Sequence, residues 1–196
     1  TPGAAPFPPS ANLGYDTIAN KATTDVAKAD QILTQAGYAK NANGVYAKDG
    51  KELSLTLAVW GKDTSMYEEI QQELKQAGIN VTLKKLQSPD EVDTLGTDGF
   101  DLVERNVITM STNDPYWFLS LFYKSGAKAN VGAYSNPQVD ALIDQLSVTF
   151  DQNERSTIAK QAQQILVDDV ADIYLLYPSA TVVSTNKVKN VPAHTI

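Results

Sequence analysis

LSLTLAVWGKDTSMYEEIQQELKQAGINVTLKKL, residues 53–86, passes through three periodicities in turn. Leu53, Leu55, Leu57 and Val59 alternate with small or polar neighbours, the pattern of a strand with one buried face. Met66, Ile70, Leu74 and Ala77 then recur at helical spacing, with Thr64 or Ser65 ahead as a cap and Gly78 behind as a stop. Residues 80–86, NVTLKKL, alternate again. Strand, helix and strand in succession make a β-α-β unit, whose strands pair in parallel through a right-handed crossover. The chain is therefore read as α/β.

Working outward, TTDVAKADQILTQAGY, residues 23–38, predicts a helix on Val26, Ala29, Ile32, Leu33 and Ala36, opened by Thr24 or Asp25 and closed by Gly37. Asp49-Gly50 predicts a two-residue hairpin turn between Val45-Tyr46 and the long strand that follows. A short helix over about 88–96 leads through Gly99 to FDLVERNVI, residues 100–108, a third strand. The second half changes character. Asp114-Pro115 and Asn136-Pro137 each set a capping side chain before a proline at the first helical position, and Asp151 with Glu154 forms a capping box. The helices so opened carry Phe118/Leu121/Phe122, Val139/Leu142/Ile143/Leu146 and Ile158/Ala162/Ile165/Leu166 on their apolar faces. DIYLLYPSATVVST, residues 172–185, predicts a strand, a proline break and a second extended run. The first ten residues, TPGAAPFPPS, read as a Pro-rich extended segment. Residues 1–23 are thus expected to be an extended linker or crossing segment, and 24–196 one compact body.

Composition removes several function classes. Of 196 residues, 42% are hydrophobic and 20% charged, enough for a sizeable core. The net charge is −7 with scattered lysines, so no face is basic enough to bind nucleic acid. No apolar run approaches the roughly 20 residues of a membrane span. There is no cysteine and a single histidine, His194, three residues from the end. Thiol and Ser-His-Asp catalysis and ordinary zinc sites are thereby unsupported, and Gly-rich phosphate loops are missing as well. Carboxylates cluster at Glu68-Glu69, Asp140/Asp144 and Asp168-Asp169, each on a helix face that the apolar stripe leaves to solvent. The expectation is no catalytic residue, no metal site and no cofactor, which leaves recognition.

The ordered series DVAKADQILTQAGY, a DG hairpin into LSLTLAV, IQQELKQAGINVTLKKL, GFDLVERNV, NDPYWFLSLF, AYSNPQVDALIDQL, DQNERSTIAKQAQQIL and DIYLLYPSATVVSTNKVKNV, from about Asp25 to Val191, resembles the peptide/nickel family (family 5) of ABC-transporter solute-binding proteins. The resemblance implies the carboxy-terminal lobe of a periplasmic-binding-protein-like type II fold, a central mixed sheet flanked by helices. It also implies an amino-terminal lobe of the same protein and an ABC permease as partners, and a place outside the cytoplasmic membrane, lipid-anchored at the cell surface or periplasmic. On that reading the chain is a fragment of a two-lobed protein, expected to bind weakly by itself. The ligand would be a small molecule, a peptide or a metal chelate.

Ligands of such folds sit where loops and helix N-termini meet strand ends. The segment STNDPYWFLSLF, residues 111–122, and the loop just ahead of it direct attention to Thr109, Ser111, Thr112 and Asn113 as first-choice ligand contacts, with Asp114 assigned to capping. Tyr116 and Trp117 stand open between lining the cleft and packing, and Met110 between filling space against a ligand and packing. Asn130 and Tyr134, in KANVGAY, are open between bonding a solute and tying down their loop. Peptide-binding members of the family carry a Trp and an acid in the first of these loops. Between Val107 and Asn113 this chain has neither, which disfavours a free peptide amino terminus and favours a nickel chelate that brings its own organic ligand. A peptide or pheromone receptor without transport, an α/β hydrolase, and a scaffold module remain the alternatives.

Overall fold

The computed structural model describes residues 2–19, 24–95, 99–178, 185 and 187. His194 and most of the second extended run near the carboxy terminus lie outside the described residues. The chain divides into two compact units, one of residues 24–106 and one of residues 1–23 with 107–196.

In the first unit the quoted stretch folds as its pattern requires. Strand β4 (Ser54–Val59) pairs in parallel with β5 (Asn80–Lys85), Ser54 opposite Asn80 through Val59 opposite Lys85, and α3 (Ser65–Ala77) is the crossover between them. Helix α3 packs on β5, and Leu57, Val59 and Val81 form the buried cluster beneath it. Gly78 ends α3 at φ 98°, a left-handed conformation that costs a side-chain-bearing residue dearly. At the other end the expected cap differs. Thr64 occupies the N-cap without a side-chain bond to the backbone; its hydroxyl donates to Glu68 instead, and Asp63 accepts from the Ser65 amide at 3.0 Å.

The hairpin turn forms with Asp49 at φ 52° and Gly50 at φ 76°, the pair of positive angles that a type I′ turn needs. What it joins is shorter than expected: β2 (Tyr46–Lys48) pairs with β3 (Lys51–Glu52), and β1 (Ala39–Lys40) completes a small antiparallel sheet. The long strand breaks at Leu53, whose amide still bonds Tyr46 of the hairpin, and continues as β4 in the parallel sheet. The third strand is shortened too. Only Leu102–Val103 forms β6, parallel to β4 on the side opposite β5. The Asp101 and Glu104 amides bond Thr56 O and Ala58 O, and the pairing with β4 ends there. Helix α4 (Glu91–Leu95) lies within the range expected for it. Helix α2 (Val26–Gln35) is capped by Asp25, yet none of its residues is buried, and Val26 and Ile32 of its apolar stripe are 66% and 56% exposed.

The second unit is helical. Helices α5 (Pro115–Phe122), α6 (Pro137–Val148) and α7 (Gln152–Asp168) start at the caps read from sequence: Asp114 accepts from the Tyr116 amide, Asn136 from Gln138 and Val139, Asp151 from Asn153 and Glu154. Phe118, Leu119, Val139, Ile143, Leu146, Ile158, Ala162 and Leu166 close a core between them. Burying each of the larger side chains contributes about 1.5–3 kcal/mol before entropy is counted.

The amino-terminal segment departs from the expected extended linker. It carries a 3-10 turn at Pro9–Ala11 and helix α1 (Tyr15–Ala19), and it buries Phe7 and Leu13 in the same core as α5–α7. Gln163, fully buried on α7, accepts from the Phe7 amide at 2.9 Å and donates to Leu13 O at 2.7 Å. Farther out, Pro2 bridges Leu176 antiparallel and the Gly3 amide donates to Leu175 O. A Cβ on Gly3 would meet the Tyr174 backbone at 2.7 Å. This isolated bridge is all that the described residues keep of the strand expected at 172–177.

Candidate functional site

In the helical unit, residues 109–113 form a turn directly ahead of α5. Asn113 sits at φ 54°, a position an Asn tolerates, with its amide bonded to Met110 O at 2.9 Å. Met110, half-buried, packs against the helical core. Ser111, Thr112 and Asn113 are exposed and Thr109 is partly so. Next to them Tyr116 and Trp117 are 37% and 38% exposed, the Trp117 ring edge-on to Phe122 at 6.0 Å, while Phe118 is buried as expected. The turn is fixed from below. Asp114 caps α5 and also takes a bidentate pair from Arg155, whose guanidinium donates further to Leu146 O and Thr149 O. Sequence reading missed Arg155, because its partner lies forty-one residues away.

Asn130 bonds within its own loop, and Tyr134 ties that loop to the end of α7. The Asn130 amide donates to Lys124 O and Tyr134 O and accepts from the Tyr134 amide. The Tyr134 hydroxyl donates to Asp169 at 2.6 Å. Burial first, then that bond, raises the Tyr134 pKa, and the bonds from Tyr134 and Asn136 lower that of Asp169.

The α/β unit holds a cavity that composition did not point to. It measures about 350 Å³ and is lined by Trp60, Gly61, Asp63, Met66, Tyr67, Glu104 and Asn106. Trp60 and Gly61 follow β4, Glu104 and Asn106 follow β6, and Asp63, Met66 and Tyr67 come from the start of α3. The strand order is β5-β4-β6, so the chain leaves β4 toward one side and returns on the other. That is a topological switch point, and the crevice outside the carboxyl ends of such strands is where open α/β sheets hold ligands. Inside it, the Tyr67 hydroxyl faces the Glu104 carboxylate: burial, then the hydrogen bond to Glu104, push the Tyr67 pKa upward. The Glu104 Oε2 atom is buried and has no hydrogen-bond partner among the described residues. The one sequence signal that would have found the cavity is Trp60-Gly61 at a strand end, and it gains meaning only once β6 is known to flank β4.

Among the described residues no group of three or more His, Cys, Asp or Glu side chains is placed to hold a metal ion, and no helix is long and apolar enough to cross a membrane.

Compared with protein families, residues 1–130 match the model described as bacterial extracellular solute-binding proteins, family 5 Middle. The chain belongs to that family. The chain is similar to the "Probable D,D-dipeptide-binding periplasmic protein DdpA" of Escherichia coli (strain K12), 32% identical over 122 residues, 61% of this chain and 23% of that one. It is also similar to the nickel-binding protein NikA of Staphylococcus aureus (strain NCTC 8325 / PS 47), 29% identical over 160 residues, 77% of this chain and 32% of that one. Among solved structures, the nickel ABC transporter from Bacillus halodurans superposes with a TM-score of 0.71 at 25% identity, over 80% of this chain and 33% of that one. The fold is accordingly that of the periplasmic-binding-protein type II class. The chain spans about a quarter to a third of the length of these relatives.

Proposed function

We propose that the chain forms the carboxy-terminal lobe of the extracytoplasmic solute-binding component of an ABC importer. It holds a peptide, a nickel chelate or a similar small solute and presents it to a membrane permease, making and breaking no bond. The whole protein would sit outside the cytoplasmic membrane, periplasmic or lipid-anchored at the cell surface, and residues 1–23 would serve the crossing between lobes. Membership of family 5 supports the class. The observation that carries the location is the cavity at the carboxyl ends of β4 and β6.

On this reading Trp60, Tyr67 and Glu104 of the α/β unit meet the solute. A solute favours a closed receptor only by the extra affinity it gains there, so one lobe provides part of the binding energy. Titration calorimetry of the 196-residue chain with short peptides and with nickel-histidine tests this. The expected dissociation constants are about 1 mM or weaker, near −4 kcal/mol of binding free energy. A submicromolar constant would overturn the half-site account.

A further inference from the structure

We propose that the cavity between Trp60, Tyr67 and Glu104 recognises an organic ammonium group of the solute. This rests on the reading of the chain as a solute-binding lobe and names the chemistry that the lobe selects. The buried Glu104 Oε2 accepts nothing among the described residues, and an orphaned buried acceptor of this kind costs about 1–3 kcal/mol, more when charged. The Tyr67 hydroxyl bonds the Glu104 carboxylate, and Oε2 is left as an acceptor for an incoming donor. Among the described residues the charged side chains lining the cavity are both acidic, Asp63 and Glu104, and no Lys or Arg joins them. The two rings of the lining, Trp60 and Tyr67, present faces that attract a cation and shed water.

An anionic solute group would meet the like charge of Glu104 and Asp63, and a neutral donor would bond Oε2 without balancing its charge. A bare metal ion is a poor fit as well. Asp63 Oδ1 is already bonded by the Ser65 amide and hydroxyl, and no third carboxylate or imidazole joins the set among the described residues. An ammonium group brings its own donors, satisfies Oε2 and leaves its alkyl stem against Met66 and the rings. The net charge of −7 draws such ligands toward the protein.

The test uses three probes that share one alkyl chain and differ in head group: pentylammonium, pentanol and pentanoate. Each is titrated into the 196-residue chain while the indole signal of Trp60 is followed by NMR. The sequence holds two tryptophans, and a Trp117→Phe variant assigns the signal. Pentylammonium is expected to shift the signal saturably, about tenfold or more tighter than pentanol, because a hydrogen bond to a charged group contributes about 1.5–3 kcal/mol. Pentanoate is expected to give no shift. Glu104→Gln should cost the ammonium about tenfold in affinity, and Tyr67→Phe, which releases the second oxygen, should keep or tighten binding. Equal affinity for pentanol, a saturable shift by pentanoate or by Ni²⁺ alone, no shift by pentylammonium, or an unaffected Glu104→Gln overturns the assignment. If Glu104→Gln fails to fold, loss of ammonium binding in Tyr67→Phe overturns it equally. Mass spectrometry of solute carried by the protein from its own host separates the two levels: an anionic or neutral solute sinks the ammonium assignment alone, and a chemically converted solute sinks the transport reading.

Discussion

The two units are held together by contacts of opposite range. In the α/β unit the cluster of Leu57, Val59 and Val81 is made by elements that follow one another in sequence, a strand, its crossover helix and the returning strand. In the helical unit the core of α5–α7 is completed by Phe7 and Leu13, tied down through Gln163 at sequence separations of 156 and 150 residues. A local unit survives the loss of a distant segment, whereas one closed by its own far end does not. The unit that looks more robust, with the larger core, is the one more exposed to a change near residue 1.

The sharpest way to break this comparison is Phe7→Ala. Phe7 has no exposed surface and packs edge-on to Phe118 at 5.6 Å, so truncation should cost the helical unit about 3–5 kcal/mol. Trp60 belongs to the α/β unit and Trp117 to the helical one, which gives each its own fluorescence reporter. The denaturation midpoint read at Trp117 should fall while that read at Trp60 holds; equal falls would mean that the units share their stability.

Alkaline pH sharpens the contrast by a smaller amount. Burial, more than the neighbouring acids, raises the pKa values of Tyr123, Tyr134 and Tyr174, and that of Tyr177 is pushed up to about 12. An unfolded phenol ionises near 10. Above that pH the unfolded chain gives up protons that the folded one keeps, so the stabilisation is complete below about pH 10 and drains away as pH rises through the folded values. The α/β unit has Tyr67, raised by burial and Glu104, and Tyr46, raised by its bond to Asp30. The midpoint at Trp117 should therefore fall more between pH 9 and 11.5 than the midpoint at Trp60; an equal or reversed order would contradict the assignment of the buried phenols.

The smallest effect is expected at Ile32→Ser. Its side chain is 56% exposed on a helix with no buried residue, so the change should stay within about 0.5 kcal/mol. A loss of several times that would show that α2 is covered in solution.

These outcomes bear on what a sequence can reveal. Caps at Asp114, Asn136 and Asp151, the turn at Asp49-Gly50 and the strand-helix-strand run at 53–86 were legible because each is decided within a few residues. The third strand is shorter than its pattern: FDLVERNVI has strand character throughout, but pairing with β4 ends at Ala58 opposite Val103. The Pro-rich opening hid Phe7, because burial there depends on a glutamine at the far end of the chain. The site shows the same divide. Exposed hydroxyls and amides at 109–113 were visible as composition, whereas the grouping of Trp60, Tyr67 and Glu104 exists only once β6 is placed beside β4.

The central claim is that solute is held at the carboxyl ends of β4 and β6. A crystal structure of the protein with the solute it carries from its own host tests this most directly. The account predicts solute atoms against Trp60 and Tyr67, with a donor on Glu104 Oε2. Solute bound elsewhere, with that cavity untouched, would contradict it.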